Sequence, residues 1–364
     1  MAGTTRPLVW DCFFFGDEVD MLEFRMRELE PVVDRFVIVE GDRMYSGTPK
    51  PSRFSENRSR FAEFEDKIVH IVVPLSPLSD GGVDRYDREN EQHRALYPFI
   101  EDLDPNDVVL LGDVDEIPFR HVVERLGEEL EVPLRLELAW SVYYANWVLP
   151  RRFLEGPFAF RSKDVAHRGV RSFLGDPMPY ERDYHELVLP AAGRHLSCLG
   201  GATTLSKKFA SYIDPGFDNE RDRSIEHLSQ CFLYGVHYEG RWLIDRIARS
   251  QLDPMLSRLY ESKPEWFDFE QAPPAWRSRG YRGYTWLRRM GWVPERALSF
   301  IDDHPGSVTG AGAPVFAAID AFLQLRRAIV KPVEHWKSWD YAGVDGKPLP
   351  GVADRTGPAS ARLR

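Results

Sequence analysis

The segment "DVVLLGDVDEIPF" (107–119) drives an apolar run into Asp113, Asp115 and Glu116. Alternate side chains of an extended segment share a face, so Asp113 and Asp115 can project together while Val114 turns into the fold. Two carboxylates held side by side repel unless a cation joins them. Hard oxygen ligands of this kind suit Mn²⁺ or Mg²⁺, usually shared with a substrate diphosphate. Acidic turns are also common as solvated surface. This one is set apart by its position at the end of an apolar strand, the fourth of an alternating series.

The elements that must position it follow from periodicity. Residues 7–15 read as a buried strand, and Val19, Leu22, Met26 and Leu29 are spaced for one face of a helix. A β-branched strand (32–40), a helix over 55–66 with Ser55 as N-cap, a strand (67–75), a helix (87–102) and the strand before Asp113 come next. Apolar strands separated by helices predict a mainly parallel sheet covered on both faces. In such sheets ligands bind beyond the carboxyl ends of the strands. That edge collects Asp11, Glu40, the turn near Pro74 and the acidic turn, and Glu40 stands where nucleotide-binding sheets often grip a ribose hydroxyl. There is no GxGxxG or GxxxxGK[ST], which excludes a dinucleotide fingerprint and a P-loop.

The second half is less regular. Residues 132–149 alternate and are aromatic, as strands facing a core on one side should be. The basic, aromatic stretch "RSRGYRGYTWLRRMGW" is expected to be a packed arm, "SVTGAGAP" (307–314) a linker, and 350–364 a disordered tail. The domain reading is therefore a catalytic-type domain over 1–245, a helical or irregular extension over 246–349 packed on it, and the tail.

Composition narrows the function classes. The net charge of −10 argues against a protein that neutralises nucleic-acid phosphate or an anionic membrane. No stretch approaches the roughly 20 apolar residues of a membrane span and no secretory signal is present, so a soluble, cytoplasmic protein is expected. Cys12, Cys198 and Cys231 form no CxxC pair and read as reduced, mostly buried thiols.

In chain order, "WDCFFFGDEVDMLEFRMRELEPVVDRFVIVEGDRMYSGTPKPSRFSENRSRF", "DRENEQHRAL", "LLGDVDEIP" and "GRHLSCLGG" resemble glycosyltransferase family 17, whose members include the transferases that add bisecting N-acetylglucosamine. The resemblance covers roughly residues 8–240. It implies a GT-A-type, Rossmann-like α/β fold, a UDP-sugar donor (UDP-GlcNAc), Mn²⁺ or Mg²⁺ on the DxD, inversion at the anomeric carbon and a glycan or glycoconjugate acceptor. Carried over residue by residue, it assigns Asp11, Cys12, Phe13, Glu40, Lys50, Arg88, Glu89, Gln92 and Asp113 to the donor. The metal falls to Asp113, Asp115 and His195, and Glu116, Pro118 and Ser197 also match. The chain departs from the family at Arg194, where Trp is frequent, and near Asp214, where a His is frequent. It also lacks the membrane anchor of the Golgi members, so it resembles the soluble microbial branch.

Inversion in one step needs a carboxylate to take the acceptor proton. The stretch "DPGFDNERDRSIEHLSQCFLYG" offers Asp214, Asp218, Glu220, Asp222 and Glu226; the reading chooses Asp222, then Glu220. A sugar nucleotidyltransferase would instead open with a Gly-rich basic loop after the first strand, where this chain is acidic. An aspartyl-phosphate hydrolase would carry its DxD after the first strand, and a non-catalytic sugar-nucleotide-binding protein on the same scaffold would lack the metal pair.

Overall fold

The computed structural model describes residues 6–77, 84–175, 187–211, 215–240, 242–270 and 275–289, besides 318 and 321. Strand β1 (Val9–Phe15) is followed by helix α1 (Val19–Leu29), β2 (Arg35–Gly41), α2 (Arg53–Asn57), β3 (Ile68–Val73), α3 (Arg85–Arg94), α4 (Tyr97–Glu101), β4 (Val108–Asp113) and β5 (Glu116–Pro118). Then come α5 (Arg120–Glu129), β6 (Leu134–Tyr143), β7 (Trp147–Arg161), α6 (Arg168–Phe173), β8 (Val188–Leu199), α7 (Gly201–Ser211), α8 (Glu220–Arg223), α9 (Ile225–Tyr234), β9 (Asp245–Arg246), α10 (Pro254–Ser262) and α11 (Ala275–Arg289).

The strands lie in the order β3-β2-β1-β4-β7-β6-β8-β5, with β9 paired to β7. β3, β2, β1 and β4 are parallel neighbours. This is the 3-2-1-4 order of one half of a doubly wound sheet, with its switch point between β1 and β4. β7 runs antiparallel to β4, and β5 antiparallel to β8. The expected α/β sheet flanked by helices is therefore present, but it is mixed rather than mainly parallel, its parallel run β3-β2-β1-β4 lying in the N-terminal half, where strand and helix patterns alternate.

Two local expectations are corrected. The N-cap of α2 is Ser52, whose Oγ accepts from the amide of Ser55 at 3.2 Å, and a 3-10 segment (Arg58–Lys67) completes the stretch read as one helix. The helix expected over 87–102 is two helices, because Pro98 lacks the amide needed to continue the ladder and sits instead in the first turn of α4. A capping box between Asp84 and Asp87 starts α3.

Contacts divide the chain into two compact units, one holding the described residues within 1–139 and 154–195, the other those within 140–153 and 196–341. The first is built on Cys12, Phe14, Val37, Val39, Val109, Leu111, Phe158 and Phe160. The second is built on Val142, Tyr143, Trp147, Leu228, Cys231 and Phe232. The basic, aromatic stretch contributes Tyr281 and Tyr284 of α11 to that second core, as a packed arm should. All three cysteines are buried thiols outside any disulfide. Among the described residues no helix is long and apolar enough to cross a membrane. The expected linker (307–314) and tail (350–364) lie outside the described residues, as does Asp214.

Glu40, near the end of β2, ties a loop to this sheet. Its wholly buried carboxylate accepts from Lys50 Nζ at 2.7 Å, Ser52 Oγ at 2.8 Å and the amide of Arg53 at 2.6 Å, and lies 3.0 Å from His70 Nε2. Burial raises its pKa, but the bonds from His70, Lys50 and Ser52 outweigh that and hold it at about 2. A folded value below the unfolded 4.5 gives stability that is fully present above pH 4.5 and lost as pH falls through 2. Glu40→Gln is expected to cost about 3 kcal/mol near neutral pH and to remove this part of the acid sensitivity. Urea unfolding across that pH range checks it; an unchanged pH slope in the variant would contradict it.

Candidate active site

Strand β4 delivers Asp113 to the carboxyl edge directly beside the switch point, in register with Phe14 of β1. The chain then turns through Val114 and Asp115 into β5. Two glycines allow the close packing around this turn. A Cβ on Gly112 would come 2.7 Å from Glu116 Oε2 and from Pro157 Cβ, and one on Gly193 would come 2.2 Å from the carbonyl oxygen of Ile117. Glu116 Oε2 uses the space at Gly112 to accept from the amide of Asp113 at 3.0 Å. The Pro118–Gly193 pairing sets the register that places Glu116 opposite His195, two residues along β8. His195 Nε2 lies 3.4 Å from Asp115 Oδ1. Of the residues expected from resemblance to share a cation, Asp115 in the turn and His195 of β8 thus meet in the first unit, and Asp113 ends β4 two residues before Asp115.

The electrostatics are strongly acidic. Asp113 is raised well above the usual carboxylate range by surrounding protein and by the charges of Glu116, Asp115, Glu89 and Glu18. Its side chain is open to solvent, so the like charges, rather than lost hydration, are the cause we stand behind. Glu116 is raised by burial, offset in part by His195. Glu89 on α3 is raised to about 7 by burial. The Tyr45 hydroxyl is pushed well up by burial and by Asp113, Glu89 and Glu18, which puts it in the same field.

Several donor-side expectations find other occupations. Asp11 is fully buried and both its oxygens are taken by Arg25, at 2.7 and 2.9 Å. Cys12 packs in the core, and Phe13 lies beneath the Arg25 guanidinium, 4.7 Å from its carbon. Central strands of a sheet covered on both faces bury these side chains, which leaves them no donor contact. Glu40 is held as described, and its Lys50 partner also reaches the carbonyl of Gly16 at 3.0 Å. Arg88 is buried, its guanidinium spent on the carbonyls of Ser76, Tyr45, Asp84 and Pro77 at 2.8 to 3.2 Å. Gln92 is buried and donates to the carbonyl of Val39 at 2.7 Å. These residues tie down loops near the carboxyl edge of the sheet, and Glu89 on the same helix is half-buried within the acidic field.

Arg25 itself escaped the sequence reading. It accompanies Leu22, Met26 and Leu29 on the buried face of α1, and a lone cation at an apolar position was the available signal. Besides Asp11, it donates to the carbonyls of Asp113 at 2.9 Å, Val114 at 3.3 Å and Glu116 at 2.8 Å.

The base candidates belong to the second unit. Asp222 on α8 is half-buried and accepts from Asn219 Nδ2 at 2.9 Å, while Glu220 is exposed. Asp218 pairs with Arg223 at 3.0 Å, and Glu226 accepts from Ser224 Oγ at 3.2 Å. Ser197 is buried with its hydroxyl 3.4 Å from Cys198 Sγ.

A parallel 3-2-1-4 half with an acidic turn ending β4 beside the β1/β4 switch defines an α/β protein with the ligand edge of a doubly wound sheet. The model of Glycosyltransferase family 17 matches residues 2–159. The human Beta-1,4-mannosyl-glycoprotein 4-beta-N-acetylglucosaminyltransferase is 30% identical over 141 residues, 36% of this chain and 26% of its own length. The rat protein of the same name has the same figures. The match thus spans about a quarter of these relatives' length. Among solved structures, the galactosyltransferase LgtC with donor and acceptor sugar analogs is similar at 12% identity, covering 74% of this chain and 99% of its own, with a TM-score of 0.30. The apo WbbM bifunctional glycosyltransferase is 12% identical over 48% of this chain and 34% of its own, with a TM-score of 0.27. Scores this low carry no argument.

The acidic field predicts a stability cost. A Glu89 pKa above its unfolded 4.5 means that folding is penalised increasingly from pH 4.5 to about 7, and constantly above it. Glu89→Gln is expected to leave stability unchanged near pH 4 and to raise it by roughly 1–2 kcal/mol at pH 8, after allowance for solvent screening. Thermal melts at the two pH values check this; equal shifts at both would refute it.

Proposed function

We propose that the chain is an inverting hexosyltransferase that moves N-acetylglucosamine from UDP-GlcNAc to a hydroxyl of a glycan or glycoconjugate. The observation that carries this reading is the acidic turn at the β1/β4 switch point, with His195 brought to Asp115 by the pairing of β5 with β8. The match of the family model and the names of the relatives support the class of reaction. The UDP-GlcNAc donor and the inversion follow from the resemblance, and the metal also from the chemistry of the acidic turn.

The residues fit a hard divalent cation. Asp113 is accessible, Asp115 adjoins an imidazole, and their mutual repulsion is what a doubly charged ion would relieve. Among the described residues no three His, Cys, Asp or Glu are grouped to hold a metal, so the reading leaves further coordination to diphosphate and water. In this reading Asp113 and Asp115 hold Mn²⁺ or Mg²⁺, with His195 beside them. Bound there, the ion supplies charge compensation for the leaving diphosphate. Glu116 keeps Asp113 in place through its amide. Glu89 and Tyr45 border the same field and line the donor side.

On the acceptor side, a carboxylate must take the hydroxyl proton as the sugar is transferred. Asp222 is assigned this role, with Glu220 second. Asn219 fixes the Asp222 side chain, whereas the neighbouring Asp218 is engaged by a guanidinium.

Incubating the protein with a panel of UDP-sugars and Mn²⁺ is expected to release UDP with UDP-GlcNAc, and EDTA or Asp115→Ala to abolish release without loss of the fold. Pyrophosphate as product would indicate a nucleotidyltransferase, and binding without turnover a non-catalytic module. Full activity in EDTA would sink the metal assignment.

Asp222→Asn is expected to retain UDP-GlcNAc binding and to lower kcat by roughly 10²- to 10⁴-fold. Near-normal turnover in a steady-state assay would transfer the role to Glu220.

A further inference from the structure

We infer that Arg25 is the positioning residue of the acidic turn, acting as a charge-neutral clamp. This rests on the glycosyltransferase reading for its functional meaning and on geometry alone for its structural part. Nε and Nη2 of the guanidinium bind the two oxygens of Asp11, and Nη1 binds the carbonyls of Asp113, Val114 and Glu116. One planar group therefore joins the middle of β1 to three carbonyls across the turn, and the backbone of Asp113–Glu116 is held from behind.

The charge distribution makes the clamp specific. Arg25 and Asp11 are both without solvent exposure, so the positive charge is met by one carboxylate away from water. Asp11 thereby cancels the cation nearest the turn. The carboxylates of Asp113 and Asp115 keep their negative field for a cation from outside, while their backbone keeps a rigid anchor. Lysine retains the charge but is a single point, and cannot span a carboxylate and three carbonyls at once. A group that orients ligands without touching the ion commonly controls affinity by 10- to 100-fold when altered.

The test compares wild type, Arg25→Lys and the neutral double variant Asp11→Asn/Arg25→Gln, which leaves no buried charge unpaired if the lysine variant fails to fold. Hydrogen exchange is followed in peptides covering 113–116 and, as control, 36–39 of β2. Faster exchange confined to the turn is expected in a folded variant; unchanged protection there would overturn the clamp. Mn²⁺ binding, read directly by electron paramagnetic resonance, is expected to weaken by roughly 10- to 100-fold, with KM for the UDP-sugar rising more than kcat falls. Mobile turn and wild-type Mn²⁺ affinity together would confine Arg25 to a structural role and refute its positioning role. Wild type that binds neither Mn²⁺ nor UDP would defeat the glycosyltransferase reading, and the exchange result would still decide the clamp.

Discussion

A guanidinium sealed from water must have its donors met, and meeting those of Arg25 fixes the centre of the first unit. Its partner Asp11 sits inside β1, where no solvent can substitute for it. Replacing such a pair by apolar residues is often harmless or stabilising, so its presence is poor support for stability as such. What the pair provides is geometry. The fork can be satisfied only if α1 packs at one angle on β1 and if the chain leaving β4 turns its carbonyls inward. The side chain of Asp113 is then left on the solvent side of the turn, and that of Asp115 is buried beside His195.

The sheet edge shows how one residue type takes opposite roles. Glu40 and Asp113 lie near the carboxyl ends of parallel strands, and both were read as donor-side acids. Glu40 is surrounded by an ammonium, a hydroxyl, an imidazole and a backbone amide, and its pKa falls to about 2. Asp113 faces four other carboxylates and is raised. A satisfied acid holds a fold together, whereas a frustrated one stores a charge that a ligand can relieve. The frustration is sustained because the backbone of the turn is anchored independently of the Asp113 carboxylate, by Arg25 on three carbonyls and by the Glu116 carboxylate on the Asp113 amide.

This contrast also marks what could be read in the sequence. The first four strands, their helices and the acidic turn were legible because period and position are local properties: "DVVLLGD" is a buried strand wherever it lies. The return of His195 was legible only through resemblance, since the β5–β8 register depends on a glycine at 193 making room for another strand's carbonyl. The burial of Arg88, Gln92 and Lys50 against backbone and Glu40 was not legible at all. Polar residues on a polar helix or loop look solvent-facing until the carbonyls they serve are in place. Arg25 lay between these cases, a charge on an apolar stripe whose partner 14 residues away carried no signal of its own.

The family match ends at residue 159, before β8. The matched span includes Asp113 and Asp115 but not His195, nor Asp222 and Glu220 in the second unit. Under the proposed function, donor chemistry and acceptor chemistry rest on different foundations. The first draws on a switch point whose strand order and acidic turn are intrinsic to the parallel half of the sheet. The second depends on a short helix, α8, whose charged residues are ordered by Asn219 and by the Asp218–Arg223 pair rather than by a sheet. Such a helix can change its carboxylates without disturbing the core beneath it, because none of its four residues is buried. Under the proposed function the acceptor therefore does not follow from the acidic turn, and likeness over residues 2–159 does not carry the relatives' acceptors to this chain.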